Sequence, residues 1–96
     1  MTRIYLMPPA ALLMGEVTVT AAARERLTDA EVRSALKRHG SRDWGDVAKE
    51  QWFENDDALL QGEAVRSEYR ACDGRRFQVV TDAGRSATTV LLPGER

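Results

Sequence analysis

Phe77-Gln-Val-Val-Thr-Asp-Ala-Gly-Arg-Ser-Ala-Thr-Thr-Val-Leu-Leu-Pro93 decides the fold class, because two alternating runs flank one polar loop. In an extended chain successive side chains point to opposite faces, so Phe77, Val79 and Thr81 share one face of a strand. Thr88, Val90 and Leu92 share one face of the next. A loop of Asp82 to Arg85 would pair Thr81 with Ser86, Val79 with Thr88 and Phe77 with Val90, bringing the two apolar faces together.

The turn before this stretch is fixed by the same criterion. A two-residue Asp73-Gly74 loop would put Tyr69 on the face away from Phe77. A three-residue loop, Cys72-Asp73-Gly74, instead pairs Tyr69 with Phe77 and Val65 with Thr81, with Gly74 at the φ > 0 position of a bulged hairpin. The expectation is a three-stranded antiparallel meander over 65–71, 76–81 and 87–92.

Upstream, Glu16-Val-Thr-Val-Thr20 alternates and reads as a first strand, and residues 21–27 as a short helical turn. Thr28-Asp-Ala-Glu31 is a capping box. Behind it Val32, Ala35, Leu36 and His39 fall on one helical face, with Gly40 placed to end the helix. Asp46 is expected to cap a second helix whose stripe is Ala48, Trp52, Asn55 and Leu59 and whose stop is Gly62. The fold class is therefore α+β, in the order β-α-α-β-β-β, with the helices on one sheet face. Residues 1–13, broken by Pro8-Pro9, read as an extension to a single domain over 14–96.

Ninety-six residues make one small core, and a formal net charge of −1 removes the basic excess that bulk nucleic-acid or anionic-membrane binding requires. Cys72 is the only cysteine and His39 the only histidine, so no internal disulfide, thiolate metal cluster or other cofactor site is expected. A reducing, cytoplasmic setting fits. The apolar run from Ile4 to Met14 follows Arg3 as in a short signal peptide, but the double proline interrupts it, and no run is long enough to span a membrane.

Three constellations can carry chemistry. His39 and Asp43, beside Trp44, Asp46 and Asn55, form an alternative catalytic acid/base pair; the competing reading makes them a core histidine, a turn and a helix cap. Asp82 and Arg85, with Ser86 and Thr88 nearby, would bind a ligand at a hairpin tip or fix the loop by pairing across it. Arg66, Arg70 and Arg76 project from the sheet face opposite Tyr69, where they would meet an acidic protein or phosphate, or simply water. The candidate binding residues are thus Arg66, Arg70, Arg76, Trp44, Asp82 and Arg85.

The ordered set His39-Gly-Ser-Arg-Asp-Trp-Gly-Asp46, Asn55 with Ala58-Leu59 and Gly62, Ser67-Glu-Tyr69, Thr81-Asp82 and Arg85-Ser-Ala-Thr-Thr-Val-Leu-Leu-Pro93 resembles a family of small bacterial proteins carried on plasmids, integrative elements and chromosomes. Members are labelled plasmid-related protein or type I restriction endonuclease subunit M. The resemblance covers residues 15–96 and departs from the family pattern where Arg42 replaces a usual glycine and Ala64 a common arginine. A methylase subunit needs a glycine-rich cofactor loop and an Asn/Asp-Pro-Pro-aromatic motif, neither of which this sequence contains. The resemblance therefore implies association with mobile DNA and a restriction context rather than methyl transfer. Function is expected to be that of a non-enzymatic accessory or regulatory protein with a protein partner. Homodimerisation through a free sheet edge is also expected, with nucleic acid only at the local arginine patch and no membrane.

Overall fold

The computed structural model of the protein describes residues 12–95. The chain runs β1 (Glu16–Val19), α1 (Ala21–Arg26), α2 (Asp29–Gly40), α3 (Lys49–Gln61), β2 (Val65–Arg70), β3 (Arg76–Thr81) and β4 (Ala87–Leu91). The α+β class and the meander are as expected. The sheet as a whole is mixed, in the order β1-β4-β3-β2, because β1 lies parallel to the last strand.

Local chemistry accounts for the helix boundaries. Thr20 caps α1 by accepting from the Ala23 N–H at 3.1 Å, making a helix of what the sequence suggested was a turn. At α2 the capping box is complete: Glu31 N–H donates to Thr28 Oγ1 at 3.0 Å and Thr28 N–H to Glu31 Oε1 at 2.9 Å. Gly40 is the last residue of α2, and the left-handed turn falls instead on Arg42, at φ 66°. Asp46 does not cap α3, which starts after Ala48 without a side-chain cap. The segment around Asp46 is drawn alongside β2 instead, with its N–H donating to the Glu68 carbonyl at 2.7 Å.

The β2–β3 register is the expected one, Tyr69 opposite Phe77 and Val65 opposite Thr81. The β3–β4 register is displaced by two residues, with Thr81 opposite Thr88 and Val79 opposite Val90. The cause is the loop. Asp82 N–H donates to the Ala87 carbonyl at 3.0 Å, so these two residues form the last pair, and Arg85 turns the chain at φ 59°. A shift of two preserves the face of every side chain, so the buried set is unaffected.

Two apolar clusters fill the helix-bearing side. One gathers Ala23, Leu27 and Ala35 from the helices with Tyr69, Ala71, Phe77, Val79 and Val90. The other joins Leu12, Trp44 and Val65, with Trp52 and Leu59 partly buried against them. Leu12 therefore belongs to the packed domain, its N–H donating to the Gly40 carbonyl at 3.0 Å. Leu13 is exposed, and residues 1–11 of the expected N-terminal extension lie outside the described residues.

Candidate functional site

Between the two clusters the inward positions of three neighbouring strands are hydroxyl residues, and the short side chains of Ser67, Thr81 and Thr88 leave room for an imidazole. The last turn of α2 supplies it. His39 Nδ1 lies 2.5 Å from Ser67 Oγ and Nε2 lies 2.8 Å from Thr81 Oγ1, which is in turn 2.7 Å from Thr88 Oγ1. Thr88 closes the chain by donating to the Met14 carbonyl at 2.7 Å.

Proton directions follow from the closed end. A carbonyl can only accept, so the Thr88 hydroxyl hydrogen is committed to Met14, and Thr81 must donate to Thr88. Thr81 then accepts from His39 Nε2–H. In a neutral ring Nδ1 is the acceptor, and Ser67 donates to it. Burial, reinforced by the charge of Arg85, lowers the His39 pKa from 6.5 to about 4, which keeps the ring neutral near pH 7. The Trp44 ring meets it edge-on, with centroids 5.6 Å apart.

A serine donating to a histidine nitrogen has the form of an activated nucleophile, but not the access. Ser67, His39, Thr81 and Thr88 are all fully buried. The second imidazole nitrogen donates to a threonine rather than to an orienting carboxylate, unlike a triad. The relay binds β2, β3, β4 and the segment leading into β1 to the end of α2.

The candidate residues named from sequence are dispersed. His39 and Asp43 are not brought together: the Asp43 carboxylate accepts from Arg38 Nε at 2.8 Å and Nη2 at 3.2 Å, which holds its pKa below the usual carboxylate range. Arg38 also lies over the Tyr69 ring, 4.6 Å from its centroid. Trp44 is buried, its indole N–H donating to Asp56 at 3.0 Å.

Asp82 and Arg85 organise the loop. The Asp82 carboxylate accepts from Ser86 N–H at 2.9 Å and from Ser86 Oγ–H at 2.8 Å. Arg85 donates to the carbonyls of Glu63, Asp82 and Ala58 at 2.7, 3.0 and 3.2 Å, placing its charge at the C-terminal end of α3 where the helix dipole favours it.

Arg66, Arg70 and Arg76 do share the exposed sheet face, but acidic and amide groups meet them. Arg70 pairs with Asp46 at 3.3 Å, Arg76 with Glu68 at 3.2 Å, and Arg66 donates to Gln51 at 2.8 Å. A depression of about 520 Å³ there is lined by Asp46, Glu50, Glu54 and Glu68 as well as Arg66 and Arg76. The face carries both signs.

A second depression, about 350 Å³, runs between α2 and the β2–β3 hairpin beside Cys72. Its Glu31 carboxylate already accepts from the N–H groups of Cys72 and Thr28, and these bonds lower its pKa to about 2. The same carboxylate raises the pKa of the Cys72 thiol, which opposes thiolate chemistry. Among the described residues no three His, Cys, Asp or Glu side chains gather as metal ligands.

The feature that sequence reasoning missed is a contrast between the two sheet edges. At the β2 edge, Asn55 acts as a substitute strand: Nδ2–H donates to the Arg66 carbonyl at 2.7 Å and Oδ1 accepts from the Arg66 N–H at 3.1 Å. Two residues on, Glu68 N–H donates to the Trp44 carbonyl at 3.1 Å and the Glu68 carbonyl accepts from Asp46 N–H at 2.7 Å. This approach requires Gly45, at φ 77°, where any Cβ would collide with the Glu68 carbonyl oxygen. The one sequence signal was a polar Asn55 on an otherwise apolar helical stripe.

At the other edge β1 spends its even-numbered backbone groups on β4, with Glu16 N–H donating to Ser86 and Thr20 N–H to Val90, both at 3.0 Å. Val17 and Val19 therefore direct their backbone groups outward, and among the described residues no strand lies beyond them. Beside this edge runs a groove of about 230 Å³ lined by Val17, Val19, Leu27, Val32 and Leu36, with Arg24, Asp29 and Arg33 also contributing. Val17 is 41% exposed. Comparison with protein-family models, curated proteins and solved structures yields no match to this chain.

Proposed function

We propose that this protein is a non-enzymatic accessory or regulatory module that works by pairing its β1 edge with another protein chain. The observation that carries this reading is the contrast of edges: the outward backbone groups of Arg66 and Glu68 are satisfied at β2, while those of Val17 and Val19 at β1 face outward beside an aliphatic groove. Strand addition draws affinity from such main-chain groups and selectivity from pockets for alternate side chains. The buried relay supports a binding role, because its histidine and serine are enclosed. A setting in mobile DNA and a host defence or restriction context come from the sequence resemblance.

The test is a photoreactive benzophenone residue at Val17, with a control at exposed Asp73, introduced into the full chain in its native host. Adducts to a protein chain from position 17 well above those from position 73 are expected. Equal yields from the two positions would overturn the reading.

A further inference from the structure

Building on that reading of the β1 edge, we infer that the strand it receives is β1 of a second copy, joined antiparallel about a two-fold axis at Thr18. The alternation of the strand fixes the register. Val17 and Val19 are the residues whose backbone groups point outward, so they must form the hydrogen-bonded pairs, Val17 of each copy opposite Val19 of the other. Thr18 then faces its own counterpart, and Glu16 faces Thr20.

Every pairing in this register is compatible. Valine meets valine on the helix-bearing side, where both aliphatic grooves meet, and threonine meets threonine on the other. No like charges stand directly opposite one another along the strands. The groove walls carry both signs, Arg24 and Arg33 with Asp29. An axis perpendicular to the sheet keeps the helices of both copies on one side, giving a continuous sheet β2-β3-β4-β1 followed by β1-β4-β3-β2. The far edge in each copy is β2, which Asn55 and residues 44–46 already cover. Association therefore closes at two copies rather than growing into a fibre.

Cysteine cross-linking reads this register directly. In a non-hydrogen-bonded antiparallel pair the Cα atoms are about 4.5 Å apart, within the roughly 4.4–6.8 Å that a disulfide spans. With Cys72→Ser as background in the full chain, Thr18→Cys should oxidise to a covalent dimer in high yield, and Glu16→Cys should not. Sedimentation equilibrium of the wild-type chain should give twice the monomer mass, and Val17→Lys should return it to the monomer while retaining the wild-type circular dichroism spectrum. A wild-type chain that stays monomeric at tens of micromolar, or a Glu16→Cys yield matching that of Thr18→Cys, would overturn the second copy as occupant. Foreign adducts at position 17 from a monomeric protein would reject the dimer while sustaining the interaction reading; no adducts above control would reject both.

Discussion

The two edges of this four-stranded sheet have the same backbone chemistry and opposite fates. At β2 a helix side chain and a glycine-bearing connector supply donors and acceptors to successive outward residues; at β1 the outward groups of Val17 and Val19 meet no strand among the described residues. Sealing an edge takes specific residues, namely Asn55 at the right turn of α3 and Gly45 where no Cβ fits. Leaving one open takes none. The difference shows that edge protection in a small domain can be local, and that an exposed strand need not reflect poor packing elsewhere.

The largest effects should follow from breaking the sealed edge. Asn55→Leu removes both bonds to Arg66 and leaves two backbone groups without partners, at about 1–3 kcal/mol each, so urea unfolding should show a loss of several kcal/mol. Gly45→Ala should be at least as damaging, because both the left-handed backbone and the Glu68 carbonyl reject the methyl group. Light scattering should then detect association beyond two copies as the second edge becomes available.

Next in size is the pH response of the interior between those edges. The unfolded chain takes up a proton on His39 near pH 6.5 and the folded chain only near pH 4, so between these values the unfolded state binds more protons. Stability is therefore complete above pH 6.5 and falls by about 3 kcal/mol as pH drops toward 4, at about 1.4 kcal/mol per pH unit. Denaturation midpoints measured across that window in wild type and in His39→Gln should show the slope shrinking in the variant.

How much of this was legible in the sequence depended on how local each feature is. The β2–β3 register could be read because a three-residue loop with Gly74 and the side-chain alternation both favour it. The β3–β4 register could not, because it depends on the Asp82 carboxylate gathering Ser86 and on Arg85 adopting a left-handed conformation while anchoring to α3. Likewise, Asp46 has the chemistry of a helix cap, yet the neighbouring strand claims its backbone. His39 and Asp43 are close in sequence but point to different partners, and the arginine stripe was visible where its countercharges were not. The parallel placement of β1 beside β4 joins residues about seventy apart, for which no turn or periodicity gives a cue.

The smallest effect concerns the connector that reaches the sealed edge. Arg42 sits at φ 66°, a region that costs a non-glycine residue about 1–2 kcal/mol, while glycine offsets part of that gain through its freer unfolded chain. Arg42→Gly should change stability by less than about 1 kcal/mol, in the stabilising direction, leaving the β2 edge intact. Chemical denaturation beside an unchanged amide exchange pattern at Glu68 would check both parts.

The contrast itself is tested most directly by residue-resolved hydrogen exchange along the two edge strands as protein concentration is varied. The amides of Arg66 and Glu68 should be strongly protected at every concentration, because their partners lie within the chain. Those of Val17 and Val19 should exchange quickly in the dilute monomer and slow as the chains associate. Protection of Val17 and Val19 equal to that of Arg66 and Glu68, and independent of concentration, would contradict the account.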